Sequence, residues 1–167
     1  HAVGMGIIAE WSSGFPGYQG RLSRRAATLA EVLREHAYGT YAVGKWHLAP
    51  TGSRSNAGPF EMWPLGWGFE RYYGFLRGDT NQWAPELVQD NHYVEAPRSY
   101  TAGYHVSEDL AERMIGNIRD QRQATPGKPF FGYLAFGAMH APHQVAREWV
   151  EPYRGRFDAG WEALREA

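Results

Sequence analysis

Lys45 and His47 stand two residues apart at the end of one apolar run, and His140 and His143 stand at the end of another. The first run is Thr40-Tyr41-Ala42-Val43-Gly44-Lys45-Trp46-His47-Leu48. The second is Phe130-Phe131-Gly132-Tyr133-Leu134-Ala135-Phe136-Gly137-Ala138-Met139-His140-Ala141-Pro142-His143. In open α/β sheets, ligands bind in the crevice outside the carboxyl ends of the strands. A cation and two imidazoles brought to that edge suit an anionic substrate whose reaction needs proton transfers.

Each candidate also has a plainer reading. A lysine at a strand end is ordinarily a solvated edge charge, yet of the 17 basic residues only Lys45 and Lys128 are lysines. Strand alternation would put Lys45 and His47 on one face and Trp46 on the other, which favours treating them as a pair. His140 and His143 are loop histidines beside Pro142. Their His-x-x-His spacing suits zinc, but spacing without a third ligand does not define a metal site. His92 and His105 carry no pattern and read as surface residues. His36 falls in the last turn of a helix, where a cation suits the dipole.

The elements that must hold these residues follow from periodicity. Apolar positions Ala26, Leu29, Ala30, Leu33 and Ala37 predict a helix from Ala26 to about His36, closed by Gly39. A strand over Thr40 to Trp46 follows at once. Glu86 to Glu95 predicts a small hairpin turning at Asp90-Asn91. Ser107 is placed to cap a helix running to about Arg122, with Leu110, Ala111, Met114, Ile115 and Ile118 on one face. Pro126-Gly127-Lys128-Pro129 breaks it before a strand over Phe130 to Phe136. Short helices are expected over Ala146 to Tyr153 and, from Asp158, over Ala159 to the end.

Helix followed by strand, twice, with near-continuous apolar strands, predicts a buried parallel sheet. Two strands do not make a stable sheet, and no other segment reads as a strong strand. Either the weaker Val3 to Ala9 joins them or the rest of the sheet lies outside this chain; the second is favoured.

Composition bounds the function classes. The chain has 167 residues, enough for one domain with a core. It is 43% hydrophobic and 21% charged, which argues against disorder. A net charge of -1 offers no argument for nucleic acid or an anionic membrane surface. No apolar run approaches the roughly 20 residues of a membrane span. The absence of cysteine excludes disulfides and thiolate metal sites and leaves the compartment open. Aromatics reach 15%, concentrated in Trp11 to Gly20 and Gly58 to Gly78, which read as long functional loops.

Gly44-Lys45-Trp46-His47-Leu48, followed some ninety residues later by Pro129-Phe130-Phe131-Gly132-Tyr133-Leu134-Ala135-Phe136-Gly137-Ala138-Met139-His140, resembles the type I sulfatases of the alkaline phosphatase superfamily. The likeness to bacterial arylsulfatases covers nearly the whole chain. It includes His1 to Gly6, the stretch Pro64 to Phe75, and the closing Phe157 to Arg165. The resemblance implies an α/β fold, part of a mostly parallel sheet flanked by helices and incomplete in this chain. It implies that residues 1–167 form the central part of the catalytic domain, with the N-terminal nucleophile and metal region and the C-terminal region absent.

Family members use a formylglycine, made from Cys or Ser, whose hydrated aldehyde attacks sulfur. By resemblance, Lys45 contacts the sulfate and the nucleophile's oxygen. His47 hydrogen-bonds the hydrated aldehyde and takes a proton from its second hydroxyl as sulfate is expelled. His140 faces the bridging oxygen and protonates the leaving alcohol. Lys45 and His140 are thus substrate-binding as well as catalytic. Calcium is expected in the intact protein on ligands outside this chain, with a small-molecule sulfate ester as partner.

Met139 stands where many relatives have proline, and Ala49 where glycine is common; neither change touches a reacting atom. The nucleophile motif, Cys or Ser followed by x-Pro-x-Arg, does not occur, nor do the early Asp-Asp pair and the later Asp-Asn pair that hold calcium in relatives; Asp79, Asp90-Asn91 and Asp109 lack the sequence surroundings of those ligands. The chain alone is therefore expected to be inactive, because losing one member of a catalytic unit removes most of its rate. Two other readings stay open: a phosphodiesterase or phosphonate monoester hydrolase of the same superfamily, and a non-catalytic relative that binds sulfate esters.

Overall fold

The computed structural model describes residues 21–166. The suggested strand at Val3 to Ala9 and the aromatic stretch from Trp11 to Gly20 lie outside them.

The first helix, α1 (Leu29–Glu35), starts later than periodicity predicts because Thr28 caps it. The Thr28 hydroxyl accepts from the Glu31 N–H at 3.1 Å, and the Glu31 carboxylate accepts from the Thr28 N–H at 2.7 Å. This capping box satisfies two otherwise orphaned donors. Gly39 does not close the helix. The chain turns at Ala37, in the left-handed region at φ 63°, and Gly39 opens strand β1 (Gly39–Lys45). A Cβ at Gly39 would overlap the side-chain amide of Gln121.

The remaining strands are β2 (Arg71–Phe75), β3 (Leu87–Gln89), β4 (His92–Val94) and, after helix α2 (Val106–Ala124), β5 (Phe130–Ala135). Two short helices follow, α3 (Arg147–Val150) and α4 (Gly160–Glu166). The sheet order is β4-β3-β2-β1-β5. Parallel pairing joins β1 to β2 and to β5, and antiparallel pairing joins β2, β3 and β4. The fold is a mixed five-stranded sheet flanked by helices. The predicted hairpin at Asp90-Asn91 is β3–β4, with Asp90 in the left-handed region at φ 54°.

Strand β2 corrects the reading of Gly58 to Gly78 as loop and of only two strong strands. Its Tyr72, Tyr73, Gly74 and Phe75 are all buried, so no alternation marks it, and Gly74 reads locally as a breaker. The residues before it are the loop that was expected, but its Trp63 and Trp67 are fully buried.

Both faces of the sheet are covered. Ala42, Tyr72 and Val88 pack with Trp46, Trp63, Trp67, Phe69 and Ala30 of α1. Tyr41, Val43, Tyr73, Phe75 and Leu87 pack with Val106, Leu110 and Met114 of α2. The edge strand β5 is the exception to the expected buried sheet: Phe130 and Leu134 on one face and Tyr133 on the other are exposed, because no strand flanks its far side among the described residues.

Helix α2 buries a charge that its apolar stripe does not announce. Asp109 accepts hydrogen bonds from the hydroxyls of Tyr73 at 2.6 Å and Tyr104 at 2.8 Å. Burial first, and then the bond to Asp109, pushes both phenols well above the ordinary tyrosine value. A raised folded-state pKa contributes stability that is complete below the unfolded value of about 10 and is lost as pH rises towards the folded value. Denaturant midpoints should therefore hold through neutral pH and fall above about pH 10. Absorbance at 295 nm should show these two phenols ionising only with unfolding. Free titration of every tyrosine near pH 10 in the folded state would contradict this.

Candidate functional site

Three parallel strands end at one edge of the sheet, and the chemistry-bearing residues follow those ends. Lys45 is the last residue of β1, in register with Phe75, the last of β2. Gly44 pairs with Ala135, the last of β5, five residues before His140. The loops leaving β1, β2 and β5 thus share the carboxyl edge, where an α/β fold places its ligand.

The backbone just before Lys45 is unusual. Gly44 has φ 108°, and its carbonyl accepts the Tyr72 hydroxyl at 2.9 Å. A Cβ on Gly44 would overlap the Ala135 carbonyl, and one on Gly74 would overlap the Gly44 carbonyl. Only glycine fits both places. Lys45 follows, half-buried. Lys128 lies 3.6 Å from Glu70, whereas Lys45 has no ion-pair partner among the described residues. An ammonium without a carboxylate at a strand end is free to meet an anion.

Trp46 anchors the next turn of chain. Its N–H donates to the Phe75 carbonyl at 3.0 Å, and its buried indole donates to the Met62 carbonyl at 2.8 Å. His47 then adopts φ 54°, with its N–H on the Leu76 carbonyl at 3.2 Å. Strand geometry has ended at Lys45, so the two-residue alternation does not carry over to His47. Its ring is placed instead against Gly78, where a Cβ would lie 2.7 Å from Cε1 and 2.8 Å from Nε2.

His140 sits on the loop after β5 and is exposed. Its N–H bonds the Gly137 carbonyl at 2.9 Å, and its Nδ1 lies 2.8 Å from the Ala141 carbonyl. A carbonyl only accepts, so Nδ1 carries the hydrogen and Nε2 is left for a substrate. His143 is also exposed, and among the described residues no three His, Asp or Glu side chains converge to hold a metal. His36 ends α1 as expected, with Nδ1 on the Val32 carbonyl at 2.8 Å.

Two residues behave differently from their sequence reading. His105, not Ser107, caps α2: its Nδ1 accepts the Ser107 N–H at 3.2 Å. His105 is half-buried and reaches the His140 loop, with Nε2 on the Gln144 carbonyl at 3.0 Å. The cap is local, but the contact with the Gln144 carbonyl, 39 residues on, depends on which segments meet. A cleft lined by Arg71, Asp90, Asp109 and Arg113 opens beside the amino end of β2. That is the wrong edge for a strand-end site, and its one deeply buried carboxylate is already held by two tyrosines.

The sulfatase family profile matches residues 6–167. An uncharacterized sulfatase of Schizosaccharomyces pombe is 32% identical over 188 residues, covering 99% of this chain and 32% of that protein. An arylsulfatase of Klebsiella aerogenes is 31% identical over 172 residues, covering 95% of this chain and 34% of that protein. The crystal structure of Ps i-CgsB superposes with a TM-score of 0.66 at 23% identity, over 80% of this chain and 31% of that one, a likeness of fold. The chain thus spans 32% and 34% of the lengths of these two curated relatives.

Proposed function

This chain belongs to the sulfatase family, and on that premise we propose that the intact protein hydrolyses a sulfate monoester with Lys45, His47 and His140 as working residues. The observation that carries the reading is the shared carboxyl edge: β1 ends on a lysine with no ion-pair partner among the described residues, and the loop after its parallel neighbour β5 presents an exposed histidine with Nε2 available. We place residues 1–167 in the central part of the catalytic domain.

The family points to a metal cofactor. The described residues do not fit one, so we assign it, as calcium, to ligands outside them, and no step here runs through it. A formylglycine from outside this chain would supply the nucleophilic oxygen. The residues of this chain do the rest. The Lys45 ammonium, half-buried and without a competing carboxylate among the described residues, holds the sulfuryl oxygens where charge gathers. His140 gives a proton from Nε2 to the oxygen of the departing alcohol. Donation from Nδ1–H to Ala141 suits both the neutral and the protonated ring, so the imidazole keeps its orientation as the proton leaves. His47 takes a proton from the nucleophile's second hydroxyl, which lets sulfate depart.

Sulfate release from 4-nitrophenyl sulfate by the intact protein, with mass spectrometry of the nucleophile peptide, tests the reading. Turnover and an aldehyde-bearing residue are expected. Turnover of phosphate diesters alone, or binding without turnover on an unconverted residue, would replace it. The placement of His47 makes a separate prediction. Gly78→Ala should lower kcat about tenfold or more by displacing the imidazole, while the thermal midpoint stays close to wild type. An unchanged kcat would mean that the ring does not need its present position.

A further inference from the structure

The loop that carries His140 is tied down at two points. At its start, buried Gly137 packs where a Cβ would lie 3.1 Å from the Phe75 ring and 3.3 Å from Gln82 Nε2. At its end stands Gln144. Its side-chain oxygen accepts the Gln82 N–H at 2.8 Å, and its carbonyl accepts from His105 Nε2 at 3.0 Å. Between these points no residue from 138 to 143 is fully buried. Among the described residues, every hydrogen bond from 138–144 to protein outside the loop runs through Gln144.

His105 is built to hold that end. Nδ1 must be unprotonated to accept the Ser107 N–H, so the ring's hydrogen is on Nε2, facing the Gln144 carbonyl. The imidazole is gripped edge-to-face by Trp83, with centroids 4.7 Å apart and planes at 83°. One rigid ring therefore joins the amino end of α2 to the His140 loop. We propose that His105 is a positioning residue for His140, acting through Gln144. This rests on the reading of His140 as the acid that protonates the leaving alcohol.

Proton donation matters most when the leaving alcohol is a poor one, so leaving-group dependence reports on the placement of His140. Two substitutions of His105 separate its two bonds. His105→Asn keeps an oxygen able to cap the Ser107 N–H and loses the reach to Gln144. His105→Gln keeps a donor at the reach of Nε2 and weakens the cap. In the intact enzyme, His105→Asn should lower kcat on an alkyl sulfate about 10- to 100-fold and on 4-nitrophenyl sulfate within about threefold. Its thermal midpoint should stay near wild type. His105→Gln should recover most of the alkyl sulfate rate while melting earlier.

His140→Ala, measured beside them, should show the same selectivity more strongly. Selective loss in His140→Ala but equal losses on both esters in His105→Asn would overturn the positioning role alone. Losses that follow the thermal midpoint in both His105 variants would do the same. No selectivity in His140→Ala would remove its acid role, and the proposal with it.

Discussion

Lys45→Ala in the intact enzyme is expected to lower kcat/KM for an aryl sulfate by about 10²- to 10³-fold, the scale seen when a single preorganised donor to a developing anion is removed. The physical ground is the lysine's surroundings. It is half-buried at the end of a central strand, and no carboxylate among the described residues neutralises it. Its charge is therefore available to a bound sulfate instead of being spent on a neighbour. The same isolation predicts little change in the thermal midpoint, since the substitution breaks no ion pair among the described residues.

Lys45→Arg should recover only part of the loss. A planar fork on a longer stem does not reproduce a point charge set by one strand position. Inorganic sulfate, as a competitive inhibitor, should bind more weakly to Lys45→Ala. Steady-state kinetics with sulfate inhibition checks both points. A loss below about fivefold, with inhibition unchanged, would return Lys45 to the class of solvated edge charges and take electrostatic stabilisation from it.

Gly74→Ala should have the largest effect on folding, about 3 kcal/mol or more. Gly74, Gly44 and Ala135 form one row across β2, β1 and β5. At Gly44 the backbone turns at φ 108°, and the carbonyl meets the hydroxyl of Tyr72, two residues before Gly74 on the neighbouring strand. A side chain at Gly74 would overlap that carbonyl and come within 2.6 Å of the Gly44 nitrogen. Both obstacles are backbone, so no rotamer change relieves them, and separating the strands would break the ladder next to Lys45. The denaturant midpoint of the intact protein should drop sharply, and activity with it. Gly116→Ala is the matched control. It lies inside α2 with nothing within 4 Å of a Cβ, and should be stabilising by up to about 1 kcal/mol. Similar midpoints for the two variants would show that the close approach at Gly74 relaxes at little cost.

Local order was legible in the residues. The apolar stripe of α2, the hairpin turning at Asp90-Asn91, and the apolar runs that became β1 and β5 all depend on neighbours a few positions away. The strand-end placement of Lys45 and the loop position of His140 came with them, and the Gly-Lys-Trp-His-Leu motif pointed to the family. Contacts between distant segments decided the rest. Strand β2 was hidden because both of its faces are buried and its glycine answers to a carbonyl thirty residues earlier. Gly39 looked like a helix stop but makes room for Gln121. His105 looked like a surface residue, yet its two ring nitrogens meet Ser107 and the Gln144 carbonyl, 39 residues on. Periodicity reports which way a side chain points along its own element. What stands opposite it is set by the packing of elements far apart in the chain, and that was decided only when the sheet and α2 came together.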